Sequence, residues 1–209
     1  MTENAILDTT MIETDGRRLR GERSRGSVMR AAVDTASLEG IERLSLGSLA
    51  AATHLSKSGV VALFGTKQQL QLATVEAARE IFLETVIVPA LKIAGGRDRL
   101  DTLLSNWIDY SESRVFAGGC FFAATSLAVA SRPGPVRDAV ARNIEQWNDA
   151  LARVIDRAID KGELAPSTDT AQLVFEIRAL LDAANTDSLL FQSSAPYDRA
   201  RAALKRVLG

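Results

Sequence analysis

Apolar residues recur at the spacing of an α-helix through most of the chain. One helical face is formed by residues at i, i+3, i+4, i+7 and i+8, namely Leu100, Leu103, Leu104, Trp107 and Ile108. After the breaker at 132–135, a seam with spacings of three and four residues predicts a long helix that ends at Gly162. Glycine, proline and short polar turns separate nine such segments, and none reads as a strand. The pattern therefore predicts an all-α fold of nine helices in two lobes.

The stretch 45–70 predicts two short helices and the capped start of a third. Ser45 and Ser56 stand where the short helices begin, and a serine oxygen there can accept a hydrogen bond from a first-turn amide. Gly65 ends the second helix, and Thr66 has a glutamine three residues on, the spacing of a capping box. Helices this short are marginal in water unless they pack on neighbours. We therefore interpret the stretch as a helix-turn-helix whose second helix presents Lys57, Ser58 and Gly59 outward.

Positive charge is concentrated in the same part of the chain. Residues 16–67 hold nine basic and four acidic residues, a net charge of +5, although the whole chain carries -1. Residues 1–15 are acidic, and a basic arm follows just before the first helix: Arg17, Arg18, Arg20, Arg23 and Arg25. A solvated arm without a partner is the alternative interpretation, but beside a helix-turn-helix such an arm can reach phosphates or a minor groove. The asymmetry predicts a nucleic-acid face on one lobe.

The stretch resembles the DNA-binding signature of the TetR family of transcriptional regulators. The matching positions are Ala50, Leu55, Ser56, Val60, Phe64, Thr66, Lys67 and Leu70. Three positions depart: His54 replaces the usual turn glycine, Val61 the usual tyrosine, and Leu63 an aromatic residue that is often present. In the family that tyrosine commonly touches a DNA phosphate, a contact that cannot be transferred to Val61. Histidine tolerates the left-handed backbone better than most residues, so we expect His54 to form the turn.

Ten residues are candidates for contact with double-stranded DNA. Lys57 and Lys67 stand at helix amino termini, where backbone N–H groups and the lysine charge act on the same phosphate. Merely solvated side chains are the alternative for both lysines. His54 would shape the turn or face a phosphate. The complete set is Arg23, Arg25, Ser45, His54, Ser56, Lys57, Ser58, Gly59, Thr66 and Lys67.

Aromatic residues are few, at 5% of the chain, and six of them concentrate in the second lobe, which suggests a ligand pocket. Ordinary core packing explains the same concentration, and both interpretations stay open. Residues 120–130 contain no charge, so a helix there should lack a solvated face and lie inside the lobe. The candidate pocket residues are Trp107, Tyr110, Phe116, Cys120, Phe121 and Trp147, with Phe122 in the same group of aromatic residues. Their few charges predict a mostly apolar ligand. For Cys120, a buried core position is favoured over a redox role.

The seam of the long helix fits packing within one chain or between two chains. In TetR-family proteins, two long carboxyl-terminal helices of each subunit form a four-helix dimer interface, and the resemblance implies the helices at 135–162 and 168–192. The implied interface residues are Val140, Ile144, Leu151, Ile177 and Leu181. We divide the chain into a flexible tail and basic arm at 1–22, a helix-turn-helix domain at 23–70, and a ligand-binding and dimerisation domain at 71–209.

These features predict a homodimeric transcriptional repressor that binds an inverted-repeat operator and is released by a small apolar or amphipathic effector. A constitutive DNA-binding regulator without a ligand is the alternative, and a small-molecule enzyme is a third. One histidine, one cysteine and the lack of a phosphate-cradling glycine loop argue against an enzyme, a cofactor or a metal site. No apolar run reaches membrane-spanning length and no charged-then-apolar leader opens the chain, which predicts a cytoplasmic protein without membrane contact.

Overall fold

The structure of the protein is a computed structural model, described here for residues 24–209. The tail and basic arm at 1–22, together with Arg23, lie outside the described residues. Within 24–209 the chain forms nine helices and no strand, which confirms the predicted all-α fold. In the same range, no helix combines the length and the apolar character needed to cross a bilayer.

The amino-terminal lobe contains four helices. Helix α1 covers residues 24–39, and a single 3-10 turn at Ile41–Arg43 leads to α2, Leu46–Thr53, and α3, Lys57–Phe64. Helix α4, Lys67–Phe82, continues through a π-helical segment, Leu83–Ile87, and a last α-helical turn, Val88–Leu91. The second lobe adds α5, Arg97–Glu112, α6, Phe121–Val129, α7, Pro135–Asp160, α8, Thr170–Leu190, and α9, Ala195–Leu208.

The caps predicted for the amino-terminal lobe are present. Each capping oxygen accepts a hydrogen bond from the backbone N–H three residues on, at 3.0 Å for Ser45 and Ser56 and 3.2 Å for Thr66. His54 ends α2 with a left-handed backbone at φ 57°, which confirms its predicted role in the turn. The four helices close over a small apolar centre: Val28, Ala32, Val33, Leu49, Val60 and Leu70.

The second lobe is built around α6 and a buried polar network. Helix α6 buries most of its length, but Leu127 is 79% exposed, so the expectation that this uncharged helix has no solvated face is wrong. The hydroxyl of Ser111 donates to Asn185 Oδ1 at 2.8 Å and lies 2.8 Å from the hydroxyl of Tyr197. These bonds join the end of α5 to α8 and α9, and they satisfy polar groups that would be costly to bury alone.

The two lobes meet along α4 and at the loop that follows α5. Helix α4 packs against α3 at its start and against α7 farther along. In the loop, the N–H of Gly118 donates to the hydroxyl of Ser37 in α1 at 3.0 Å. Gly118 also lies so close to the backbone carbonyl of Ser37 that a Cβ at this position would overlap it. The absence of a side chain at Gly118 therefore lets the second lobe touch α1 directly.

Gly118→Ala should lower the free energy of unfolding by about 1–3 kcal/mol, the usual range for an added methyl group that forces a packed backbone apart. Urea or thermal unfolding followed by circular dichroism measures this change. Gly26→Ala in α1 is the matched control, because nothing lies within 4 Å of the added Cβ. The control should be neutral or more stable by up to about 1 kcal/mol. Equal stability of the two variants would contradict the close contact between the lobes.

Candidate functional site

Five of the ten candidate DNA-contacting residues lie at or just before the start of α3. Ser56, Lys57 and Ser58 are exposed there, and the hydroxyls of Ser56 and Ser58 lie 3.1 Å apart. Lys57 has no carboxylate within 4.0 Å among residues 24–209. Gly59 is half-buried beside the hydroxyl of the Ser56 cap, and His54 is exposed in the preceding turn. This end of α3 combines unpaired backbone donors with a free positive charge, the chemistry that suits a phosphate.

Four further candidates lie outside the start of α3 and have partners within the chain. Thr66 and Lys67 are exposed at the start of α4, and Lys67 Nζ donates to the carbonyl of Glu42 at 2.7 Å. Arg25 extends from α1 across the end of α3, where its Nη1 donates to the carbonyl of Leu63 at 2.9 Å. Its guanidinium also lies 4.7 Å from the centre of the Phe64 ring. Arg25 thus joins α1 to α3, while half-buried Ser45 is engaged by its own capping box.

A cavity of about 320 Å³ lies in the second lobe, between α4 with its π-helical continuation and helices α5 to α8. The cavity is at the small end of the range that is usual for ligand pockets, about 300–1,000 Å³. Its apolar wall consists of Phe82, Leu83, Ile87, Trp107, Cys120, Phe122, Ala123, Ile144, Trp147, Ala150 and Leu181. Phe82 and Trp147 meet edge to face at 5.4 Å between ring centres. Helix α4 therefore reaches from the amino-terminal lobe to the cavity wall.

Of the six predicted pocket residues, Trp107, Cys120 and Trp147 line this cavity. Tyr110, Phe116 and Phe121 do not, because they face the core behind it and are at most 2% exposed. These residues contact the cavity wall through edge-to-face aromatic pairs. The ring centres are 5.5 Å apart for Phe82 and Tyr110 and 5.7 Å apart for Tyr110 and Phe116. Phe122 takes the wall position instead of Phe121, since neighbouring residues on a helix point about 100° apart.

The lining contains more charge than the sequence led us to expect. Three arginines and one carboxylate border the cavity, together with three uncharged polar side chains: Arg79, Arg153, Arg178, Asp182, Asn143, Gln146 and Ser126. These charged residues lie on α4, α7 and α8. The prediction of a lining with few charges is therefore corrected.

The residues implied for the dimer interface lie inside the single chain. Val140, Leu151 and Ile177 are at most 1% exposed and belong to the core of the second lobe. Ile144 and Leu181 line the cavity. Packing within the chain was the open alternative for this seam, and α4, α6 and α8 of the same chain cover α7.

Two titratable groups in the cavity wall are shifted by their surroundings. Burial raises the pKa of the Cys120 thiol to about 11, from an ordinary value of 9.0. Partial burial also raises the pKa of Asp182, and the Arg178 guanidinium, 3.5 Å away, opposes that shift. Cys120 is therefore a protonated, 3% exposed thiol at neutral pH. Among residues 24–209, the cavity lining contains no histidine and no carboxylate besides Asp182 that could serve as an acid–base pair.

The amino-terminal lobe, called the head from here on, contains a helix-turn-helix and is joined by one helix to a helical body with a cavity, an architecture typical of DNA-binding transcriptional regulators. Residues 96–204 match the family model described as Tetracyclin repressor-like, C-terminal domain. That match covers more than half of the chain, and the chain belongs to the TetR family of transcriptional regulators. Members of this family are DNA-binding transcription factors, so the protein is a regulator and not an enzyme. No curated protein matches the sequence.

Solved structures with the same fold include the following three regulators, two of which were crystallised with a ligand. A TetR transcriptional regulator from Chloroflexus aurantiacus is 25% identical, with 88% of this chain and 93% of that chain covered and a TM-score of 0.79. AibR, in complex with isovaleryl coenzyme A and operator DNA, is 19% identical, with 78% and 86% covered and a TM-score of 0.66. A regulator from Saccharomonospora viridis, in complex with choline, is 16% identical, with 88% and 95% covered and a TM-score of 0.75.

Because the pKa of Cys120 is about 11, only about one part in a thousand of the thiol should be ionised near pH 8. We expect slow reaction with Ellman's reagent in the folded protein, an increase of about tenfold per pH unit, and rapid reaction once guanidinium unfolds the chain. Above pH 9.0 the unfolded thiol ionises before the folded one, so Cys120 should lower the stability of the fold as the pH rises towards about 11. Rapid labelling of the native protein at neutral pH would contradict this assignment.

Proposed function

We propose that the protein is a ligand-responsive repressor that binds an inverted-repeat operator as a homodimer and releases it when a small amphipathic effector occupies the cavity. The observation that carries the proposal is the continuity of α4. Leu70 and Gln71 at one end of α4 are buried in the DNA-binding head, and Arg79, Phe82 and Leu83 at the other end border the cavity. A ligand can shift the equilibrium between the DNA-binding and the released conformation only if it contacts an element that differs between them. Helix α4 contacts both the cavity and the DNA-binding head.

The amino-terminal head supports the DNA-binding part of the proposal. Lys57 and Lys67 each begin a helix, and both are exposed. Helix amino termini of this kind bind phosphates and so fix the position of the protein on the duplex. Side chains on the exposed face of α3 are placed to reach base edges. The fold is shared with AibR, which was crystallised with operator DNA. We infer that α3 is the recognition helix that contacts base edges. We also infer that the protein acts in the cytoplasm, where the chromosome lies.

An exposed apolar stripe on α8 supports the dimer. Phe175, Ala179, Ala183 and Leu190 follow one another at spacings of four, four and seven residues, so they share one face of the helix. Phe175 is 68% exposed and Leu190 is 70% exposed in the single chain. An exposed apolar face of this kind favours burial against a second copy, and the small alanines allow two such helices to approach closely. We infer that this stripe, and not the buried seam, forms the twofold interface.

Lys67→Ala should weaken binding to all duplexes alike, because a phosphate contact carries no base information. The slope of log affinity against log salt concentration should decrease in magnitude by about one unit, since one fewer counterion is released. Fluorescence anisotropy of labelled DNA across a salt series measures both quantities. Lys205→Ala, an exposed lysine on α9, is the matched control and should leave the slope unchanged. Wild-type affinity that does not depend on salt would rule out this mode of binding.

Phe175→Glu should weaken dimerisation by at least about 2 kcal/mol, roughly 30-fold in the dissociation constant. The reason is that twofold symmetry places one glutamate from each copy in an apolar interface. Analytical ultracentrifugation of the full chain measures this constant. Leu127→Glu on α6 is the control, since Leu127 is even more exposed, at 79%, and lies outside the stripe. We expect the control to remain dimeric and to bind the operator. A wild-type monomer at micromolar concentration, or an unchanged dimer of Phe175→Glu, would reject the interface.

A further inference from the structure

The charges around the cavity are unequal, and they restrict the chemistry of what binds there. Arg79, Arg153 and Arg178 border it with a single carboxylate, Asp182, so the charged lining residues carry two more positive than negative groups. Asp182 Oδ2 lies 3.5 Å from Arg178 Nη2, and this pair accounts for one arginine. Arg79 Nη1 lies 3.0 Å from the carboxylate of Glu76, which is outside the lining, so the charge of this second arginine is also compensated.

Arg153 is the arginine whose charge is not compensated. Among residues 24–209 it has no carboxylate within 4.0 Å, although Asp149 and Asp156 lie on the same helix. Its side chain is exposed while it also borders the cavity, so it stands at the mouth. A guanidinium in this position presents paired N–H donors that match a carboxylate, and its bonds to an anion are stronger than neutral hydrogen bonds.

The remainder of the wall suits an apolar body. Four aromatic rings line it, those of Phe82, Trp107, Phe122 and Trp147. Aromatic rings next to a carboxylate could also hold a cation, with Asp182 as the counterion. Asp182 argues against this, because its carboxylate is already paired with Arg178, 3.5 Å away.

We infer that the cavity takes an amphipathic anion, with an apolar chain or ring against the four aromatic residues and a carboxylate on Arg153. This inference rests on the proposed function, since it names the chemical class of the effector. It restricts that class from apolar or amphipathic compounds in general to organic acids with an apolar body.

The test compares three head groups on one hydrocarbon chain: decanoate, decanol and decyltrimethylammonium. The chain's two tryptophans, Trp107 and Trp147, both line the cavity, so intrinsic fluorescence reports its occupancy. Anisotropy of a labelled operator, selected from random duplexes, reports release of DNA in the same samples. Decanoate should bind at least about tenfold more tightly than decanol, because one charge-assisted contact is added, and decyltrimethylammonium should bind most weakly.

Arg153→Gln should reduce the affinity for decanoate to that for decanol and leave binding of decanol unchanged. Arg142→Gln is the matched control, because Arg142 is exposed on the same helix and does not border the cavity. The control should retain the full preference for decanoate, and both variants should bind operator DNA as the wild type does when no ligand is present.

The outcomes separate this inference from the proposed function. Decanol or decyltrimethylammonium binding as tightly as decanoate, or a preference that survives Arg153→Gln, overturns the anionic class, and so does unchanged fluorescence with all three probes. Decanoate that binds through Arg153 without releasing the operator supports the anion site but overturns the role of its occupant as an effector. Decanoate that binds through Arg153 and releases the operator supports both.

Discussion

The arrangement of the whole molecule depends on α4 being buried at both ends. Near its start, the side-chain amide of Gln71 donates to the carbonyl of Ile41 at 2.9 Å, inside the DNA-binding head. Near its end, Phe82 packs edge to face on rings from three other helices. Gln71 and Phe82 lie 11 residues apart on one continuous α-helix, so these anchors are about 17 Å apart with no loop between them. Under the proposed function, a displacement at the cavity would reach the head through this helix, because no flexible connection lies between them.

The far end of this helix departs from α geometry for an identifiable reason. Pro89 has no backbone N–H, and in an α-helix its ring would clash with the carbonyl four residues earlier. The π-helical segment Leu83–Ile87 widens the helix just before this point, and Asn106 Nδ2 donates to the carbonyl of Val86 at 3.0 Å. Both Leu83 and Ile87 border the cavity. The π-helical segment is thus the part of this helix that a bound ligand would touch. Segments of this kind inside α-helices are frequently found at functional sites.

Local chemistry could be predicted from the sequence, and relations between distant helices could not. Ser56 and Thr66 cap their helices as predicted, because a cap depends only on residues within one turn. Whether Phe121 or Phe122 faces the cavity depends on how α6 is rotated against its neighbours, and the uncharged sequence around them does not encode that angle. Likewise Val140 has the same spacing whether it packs within a chain or between chains, so periodicity alone could not distinguish the two interfaces.

The head is held to the second lobe at a second place, which restricts how it can move. Cys120 in the cavity wall donates its backbone N–H to Asn185 Oδ1 at 2.9 Å, two residues after Gly118 contacts Ser37 of α1. The loop before α6 is therefore fixed to α8 on one side and to the head on the other. If α4 alone shifted, the contact between Gly118 and α1 would have to break or follow the movement. Under the proposed function, a ligand that moved α4 and the start of α6 together would keep that contact, so concerted displacement of both walls would cost less than displacement of α4 alone.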